Sequence, residues 1–131
     1  KKGRTSPAVE RLIECNILLS GVGFESGGLA LAHAIANGLT ILPKCKAMHG
    51  EAVAFGLVVQ LRLERAPELD QVLEFCQRVG LPTTLEELGL GEISDADLQS
   101  VANAVFRNER NMANEQAKVT KQKLVQLMRE A

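Results

Sequence analysis

The stretch from residue 25 to residue 56 decides how this chain folds. It reads Glu25-Ser-Gly-Gly-Leu-Ala-Leu-Ala-His33-Ala-Ile-Ala-Asn-Gly38 and, after an irregular segment, Met48-His49-Gly50-Glu51-Ala-Val-Ala-Phe-Gly56. Each half is rich in small and apolar residues, and each holds one of the two histidines of the chain. A neutral imidazole buried in such surroundings needs a polar partner, and a charged one would be costly. A metal ion shared by His33 and His49 would supply that partner.

The composition favours a single helical domain. The chain has 131 residues, of which 46% are hydrophobic and only 3% aromatic, so its core would consist of Leu, Val, Ile and Ala. The net charge is −1, and without a basic stripe or an aromatic platform we expect no nucleic-acid partner. The apolar run 53–63 is broken by Gln60 and Arg62 and is too short to cross a bilayer, so we expect no membrane partner.

The cysteines indicate a reducing compartment. The chain contains 3 of them, far apart, with neither the spacing of a zinc motif nor a disulfide framework. They are predicted to be reduced, mostly buried thiols of a cytoplasmic protein without a signal peptide. The sequence begins with Lys1 rather than Met, which suggests a fragment or a processed product.

Hydrophobic periodicity predicts an all-α fold of about seven helices in one domain, 1–131, with no strands. The first helix is predicted to start at Ser6-Pro7 and to end at Gly21-Val-Gly23, with Phe24 in the turn. Ser26 is predicted to cap a second helix, from Gly27 to about Asn37. The Gly27-Gly28 pair suggests that another group approaches the backbone closely there.

The remaining helices follow from periodicity and capping residues. The segment 49–65 is apolar almost all round, which is typical of a helix at the centre of a domain. A helix over 69–79 should end at Gly80, and Thr84-Leu-Glu-Glu87 is a capping box for a short helix. Ser94 opens a further helix, 107–118 is predicted to be a loop, and a last amphipathic helix covers 119–129. The inward residues of these last two helices are predicted to be Leu98, Val101, Ala102, Val105, Phe106, Leu124, Leu127 and Met128.

The two histidines are the candidate metal ligands. His49 would lie at the start of its helix, where the positive end of the helix dipole disfavours imidazolium and so favours the neutral form that binds metals. A third ligand is needed, for which Glu25 and Glu51 are the candidates within the chain. The alternative is that each histidine is a core residue bonded to a backbone carbonyl. Glu51 could also accept a hydrogen bond from a ligating imidazole, or be an ordinary first-turn glutamate.

Ser26-Gly27-Gly28 has two interpretations of its own. At a helix start it could hold an anion. The alternative is that the glycines only permit close packing against a metal site or a second domain.

Residues 21–40 and 49–56 together resemble the C-terminal half of the metal-dependent (iron-containing) alcohol dehydrogenases. The match runs from about Pro7 to Leu88. The resemblance implies that His33 and His49 are two of three ligands to a divalent ion, usually zinc in this branch of the family with iron as the alternative, and that Phe24 lies beside the bound polyol. The third ligand would be an aspartate on an N-terminal NAD-binding domain that this chain lacks.

The activity that the resemblance implies is NAD-linked oxidation of a small polyol, glycerol to dihydroxyacetone, in a homo-oligomer. The cofactor would be bound by the N-terminal domain, since Gly21-Val-Gly23 follows a helix and is no dinucleotide motif. The chain departs from the family at Asn111-Met112, which lacks the usual following Pro and Gly. This departure puts the geometry of that loop in doubt.

Two other readings remain. One is a non-enzymatic helical module that binds metal or mediates assembly. The other is a lyase of the same two-domain fold, similar to dehydroquinate synthase. The absence of a Lys/Arg-rich phosphate cluster near the histidines argues against the lyase.

Overall fold

Residues 5–131, which the computed structural model describes, form seven α-helices and no strand, so the predicted all-α class is confirmed. The helices are α1 Pro7–Gly27, α2 Leu31–Leu39, α3 His49–Glu64, α4 Leu69–Val79, α5 Asp95–Arg107, α6 Glu109–Met112 and α7 Lys121–Glu130. The predicted bounds of α3, α4, α5 and α7 agree with these to within a residue or two.

The core is built around α2 and α3. Helix α2 is buried on nearly every side, packing against α3 and α5, and α5 in turn packs against α7. Phe55 of α3 is fully buried, as are Leu31 and Ile35 of α2. These apolar side chains, each contributing about 1.5–3 kcal/mol on burial, hold α2 and α3 against each other.

The N-terminus of α2 is capped from another helix. Its N-cap residue, Ala30, has no side-chain acceptor to offer. The N–H of Ala32 instead donates to the Oε1 atom of Gln60 on α3, at 2.9 Å. The prediction that Ser26 caps this helix is wrong, because Ser26 lies inside the last turn of α1 and α2 begins only at Leu31.

Helix α1 is longer than predicted and continues through Gly21-Val-Gly23. Glycine in a helix interior costs only about 1 kcal/mol relative to alanine, so two glycines weaken a helix without ending it. The helix ends at Gly28, whose φ of 70° is a left-handed conformation suited to glycine. The N–H of Gly28 donates to the carbonyl of Phe24 at 3.0 Å, which closes the last turn.

None of the residues of α1 is buried, unlike those of α2 and α3. Large apolar side chains such as Leu12, Ile17 and Leu19 are at least 60% exposed. The helix meets α2 at a bend of 106°. Among residues 5–131 no single helix is long and apolar enough to span a membrane, although α1 and α2 taken together pass by length and composition.

Two predictions for the C-terminal part were wrong. The segment at Thr84 forms a turn rather than a short helix, although the Thr84 hydroxyl does accept a hydrogen bond from the N–H of Glu87 at 3.1 Å. The predicted loop 107–118 contains the short helix α6. The cysteines also differ from expectation: Cys76 is buried, Cys45 is half-buried and Cys15 is exposed on α1.

Candidate metal centre

The fold brings the two histidines together. His33 lies in the first turn of α2 and His49 is the first residue of α3, where the sequence placed it. Their ring centroids are 5.6 Å apart, with the ring planes inclined at 52°. Two imidazoles bound to one tetrahedral ion have ring centres about 5 Å apart, since each nitrogen lies roughly 2.0–2.1 Å from the metal. The observed separation fits two ligands of one ion.

Both imidazoles open into a cleft of about 600 Å³ between the C-terminal part of α1 and the starts of α2 and α3. We call it the histidine cleft. Its other walls are formed by Leu19, Ser20, Gly21, Gly23, Phe24, Gly28, Leu29 and Asn37. The lining is mostly apolar or small, with the imidazoles and the Asn37 amide as its larger polar groups.

Neither histidine is a core residue. His33 is half-buried and His49 is exposed, and neither imidazole hydrogen-bonds to any residue within 5–131. Burial lowers the pKa of His33 below its usual 6.5, and the charge of His49 lowers it further. His33 is therefore held as a neutral imidazole, which is the form that binds a metal.

The described part of the chain supplies no third ligand at this point. Within residues 5–131 no group of three His, Cys, Asp or Glu side chains could hold a metal ion. The carboxylate of Glu51 accepts a hydrogen bond from the N–H of Met48 at 2.7 Å and so caps α3, as a first-turn glutamate does. Glu51 and Glu25 are both absent from the lining of the histidine cleft. The imidazole nitrogens of His33 and His49 fit a metal ion whose remaining ligands come from outside the described residues.

Phe24 lies in the wall of the cleft, 45% exposed. It belongs to the last turn of α1, so its predicted place in the turn after that helix was wrong. The guanidinium carbon of Arg110 stands 5.7 Å from the centre of its ring, within the range of a cation–π contact.

The surroundings of Gly28 show why a glycine is needed in the Gly27-Gly28 pair. The pair lies at the end of α1, where the dipole is negative, so the anion-binding interpretation is wrong. The expected close approach to the backbone occurs at Gly28, but the group that approaches is the Asn114 side chain rather than a metal site or a second domain. A Cβ built on Gly28 would be 2.5 Å from the Nδ2 atom of Asn114. No local pattern pointed to Asn114 or Arg110, because both reach the cleft wall from far along the chain.

The chain is similar in sequence to known proteins over most of its length. No family model matches the chain. It is 50% identical over 118 residues to glycerol dehydrogenase of Thermotoga maritima, covering 88% of this chain and 32% of that protein. It is 48% identical over 121 residues to glycerol dehydrogenase of Citrobacter freundii, covering 90% of this chain and 33% of that protein.

A solved structure of such a protein also has a similar fold. The crystal structure of glycerol dehydrogenase from Schizosaccharomyces pombe superposes with a TM-score of 0.88 at 39% identity, covering 97% of this chain and 33% of that one. The fold is thus that of the C-terminal helical domain of a dehydrogenase. Over the part that it spans, about a third of those relatives, the chain is a homologue of glycerol dehydrogenase.

Proposed function

We propose that this chain is the metal-binding half of a polyol dehydrogenase that oxidises glycerol to dihydroxyacetone with NAD. The observation that carries the proposal is the convergence of His33 and His49, 5.6 Å apart, in a cleft of a domain homologous to glycerol dehydrogenase. The metal-binding role of the two histidines and the substrate role of Phe24 are part of this proposal.

The two imidazoles would supply nitrogen donors from the first turns of α2 and α3. His33 and His49 would hold a divalent ion, zinc in our proposal and iron as the alternative, and the ion would supply Lewis acidity to a substrate hydroxyl. His33 needs no proton removed at neutral pH because burial already lowers its pKa. Its neutral form therefore comes at little free-energy cost near pH 7.

Phe24 gives the histidine cleft an apolar part of its wall. A polyol has C–H groups as well as hydroxyls, and an aromatic face can pack against the former while excluding water from the reacting carbon. We therefore assign Phe24 a substrate-positioning role.

The rest of the site lies outside this chain in our proposal. An N-terminal domain would bind NAD and contribute the third protein ligand, an aspartate. The whole enzyme would be a cytoplasmic homo-oligomer. On its own, the helical half would bind zinc weakly and lack activity, because it has neither the third ligand nor the cofactor site.

Zinc titration of the chain tests the ligand assignment. Isothermal titration calorimetry with Zn²⁺ should show a weak site that His33→Ala and His49→Ala each weaken by more than about tenfold. Asn37→Ala, which alters the same cleft without removing an imidazole, is the matched control and should bind zinc as before. Unchanged zinc binding in His33→Ala would contradict the assignment.

A chimera tests the activity. Residues 5–131 would replace the matching third of the Thermotoga maritima enzyme, and NADH formation from glycerol would be followed at 340 nm. We expect activity in the chimera, its loss on His33→Ala, and none in the isolated chain. Glycerol oxidation by the isolated chain, or an inactive chimera that folds and binds NAD, would overturn the proposal.

A further inference from the structure

Helix α1 carries one wall of the histidine cleft, yet the core does not hold it in place. It has no buried residue in the described structure. Its last turns nevertheless contribute Leu19, Gly23 and Phe24 to the cleft. The position of this wall relative to His33 and His49 must therefore depend on contacts near the α1–α2 turn.

Two side chains from the α6 region make such contacts. Arg110 of α6 lies over the ring of Phe24, 5.7 Å from its centre. Asn114, just after α6, donates from Nδ2 to the carbonyl of Leu29 at 2.8 Å. The absence of a Cβ on Gly28 makes room for the Asn114 amide. We call Arg110 and Asn114 the clasp.

The clasp contacts Phe24, Gly28 and Leu29, and each of these three residues lines the histidine cleft. We infer that Arg110 and Asn114 are positioning residues that hold the α1–α2 turn and thereby set the opening between Phe24 and the two imidazoles. The clasp determines how large a molecule fits against Phe24. The part of this inference that concerns substrate size rests on the proposed function, whereas the mechanical part does not.

The hydrogen bond between Asn114 and Leu29 depends on the chemistry of the Asn114 side chain and not only on its size. The carbonyl of Leu29 accepts a hydrogen bond from the Asn114 amide, and a carboxylate of the same shape would place two acceptors face to face. Asn114→Asp therefore keeps the volume of the side chain but turns an attraction into a repulsion. If Asn114 only filled space, Asn114→Asp would be harmless and Asn114→Ala harmful.

Hydrogen–deuterium exchange on the 131-residue chain tests the mechanical part. Asn114→Asp and Asn114→Ala should each make amides of residues 24–31 exchange about tenfold faster, with Asn114→Asp at least as strong, while amides of 52–59 in the core stay unchanged. Arg110→Gln should speed exchange around Phe24. Asn16→Asp and Arg78→Gln make the same charge changes at exposed positions and should leave 24–31 unaffected.

Exchange at 24–31 that is unchanged in Asn114→Asp would overturn the inference. Exchange that rises equally at 52–59 would also overturn it, since that result means general destabilisation.

Steady-state kinetics of the chimera test the substrate part. The Asn114→Asp chimera should show a KM for glycerol about three- to tenfold higher with kcat within about twofold, because a looser wall weakens binding without changing the reacting groups. Faster exchange with an unchanged KM would overturn the substrate part of the inference. Should the unmodified chimera lack activity, it is the proposed function that has failed, and the exchange experiment still decides on the clasp.

Discussion

Gly56 on α3 lies directly against the backbone of Ala32 on α2, so closely that a Cβ added to Gly56 would overlap the carbonyl oxygen of Ala32. Ala32 immediately precedes His33, and Gly56 lies two turns along α3 from His49. This contact sets the distance between the two helices that carry the histidines. The glycine at the end of the second motif is therefore required for close approach of two backbones.

Gly56→Ala should destabilise the chain by about 1–3 kcal/mol, because the clash is with backbone atoms that no rotamer change can relieve. This loss outweighs the gain of about 1 kcal/mol that alanine brings to a helix interior. It should also weaken zinc binding, since α2 must move away from α3. Urea unfolding followed by circular dichroism measures the first effect and calorimetry the second.

The control is Gly50→Ala on the same helix, where a Cβ meets nothing within 4 Å and stability should not fall. A Gly56→Ala protein as stable as the original would contradict the argument.

Gln60→Leu should cost about 1 kcal/mol, because it removes the side chain that caps the start of α2. Gln126 on α7 provides a matched control. Both glutamines donate from Nε2 to a glutamate four residues later, Gln60 to Glu64 at 2.8 Å and Gln126 to Glu130 at 2.6 Å. Gln126 caps no other helix, and Gln126→Leu should therefore change the free energy of unfolding by only a few tenths of a kcal/mol. Equal effects in the two variants would show that the bond to Ala32 contributes nothing.

Gly28→Ala should destabilise the α1–α2 turn for two reasons. The residue has φ 70° and ψ −164°, a region that costs other residues about 1–3 kcal/mol. The new Cβ would also displace Asn114 from Leu29. Gly21→Ala, in the interior of α1 with open space around it, should instead raise helicity and stability slightly. Far-ultraviolet circular dichroism through a urea titration distinguishes the two. If Gly21→Ala lowered the helicity, α1 would not be continuous through Gly21-Val-Gly23.

The parts of the fold that could be predicted are those determined locally. Helices α5 and α7 have strong periodicity and α3 is a long apolar run, and Ser94 caps α5 as expected, its hydroxyl accepting from the N–H of Asp97 at 3.1 Å. The end of α1 could not be placed, because Gly21, Gly23, Gly27 and Gly28 are equivalent by local pattern. Only Gly28 meets a side chain from a distant part of the chain.

The candidate metal centre, like the fold, could be predicted only where local sequence determines it. The histidine pair stood out because each residue sits in a distinct motif, and the helix packing then brings the two rings together. The cap from Gln60 and the clasp from Arg110 and Asn114 are contacts between segments far apart in sequence. Such contacts follow from how the helices pack, and no spacing rule predicts them.

The pKa of His33 offers a direct test of the cleft. Burial is the larger cause of its lowered pKa and the charge of His49 the smaller, so two-dimensional NMR of the imidazole protons should place its midpoint below 6.5. His49→Gln removes only the smaller cause and should raise the midpoint without restoring it to 6.5.

Because the unfolded chain takes up this proton at higher pH than the folded one, His33 lowers stability as the pH falls from 6.5 through the folded pKa, and the loss is complete below it. His33→Gln should flatten that part of the stability curve in urea titrations between pH 5 and 7. A midpoint for His33 at or above 6.5 in the metal-free chain would mean that the imidazole is neither desolvated nor close to His49.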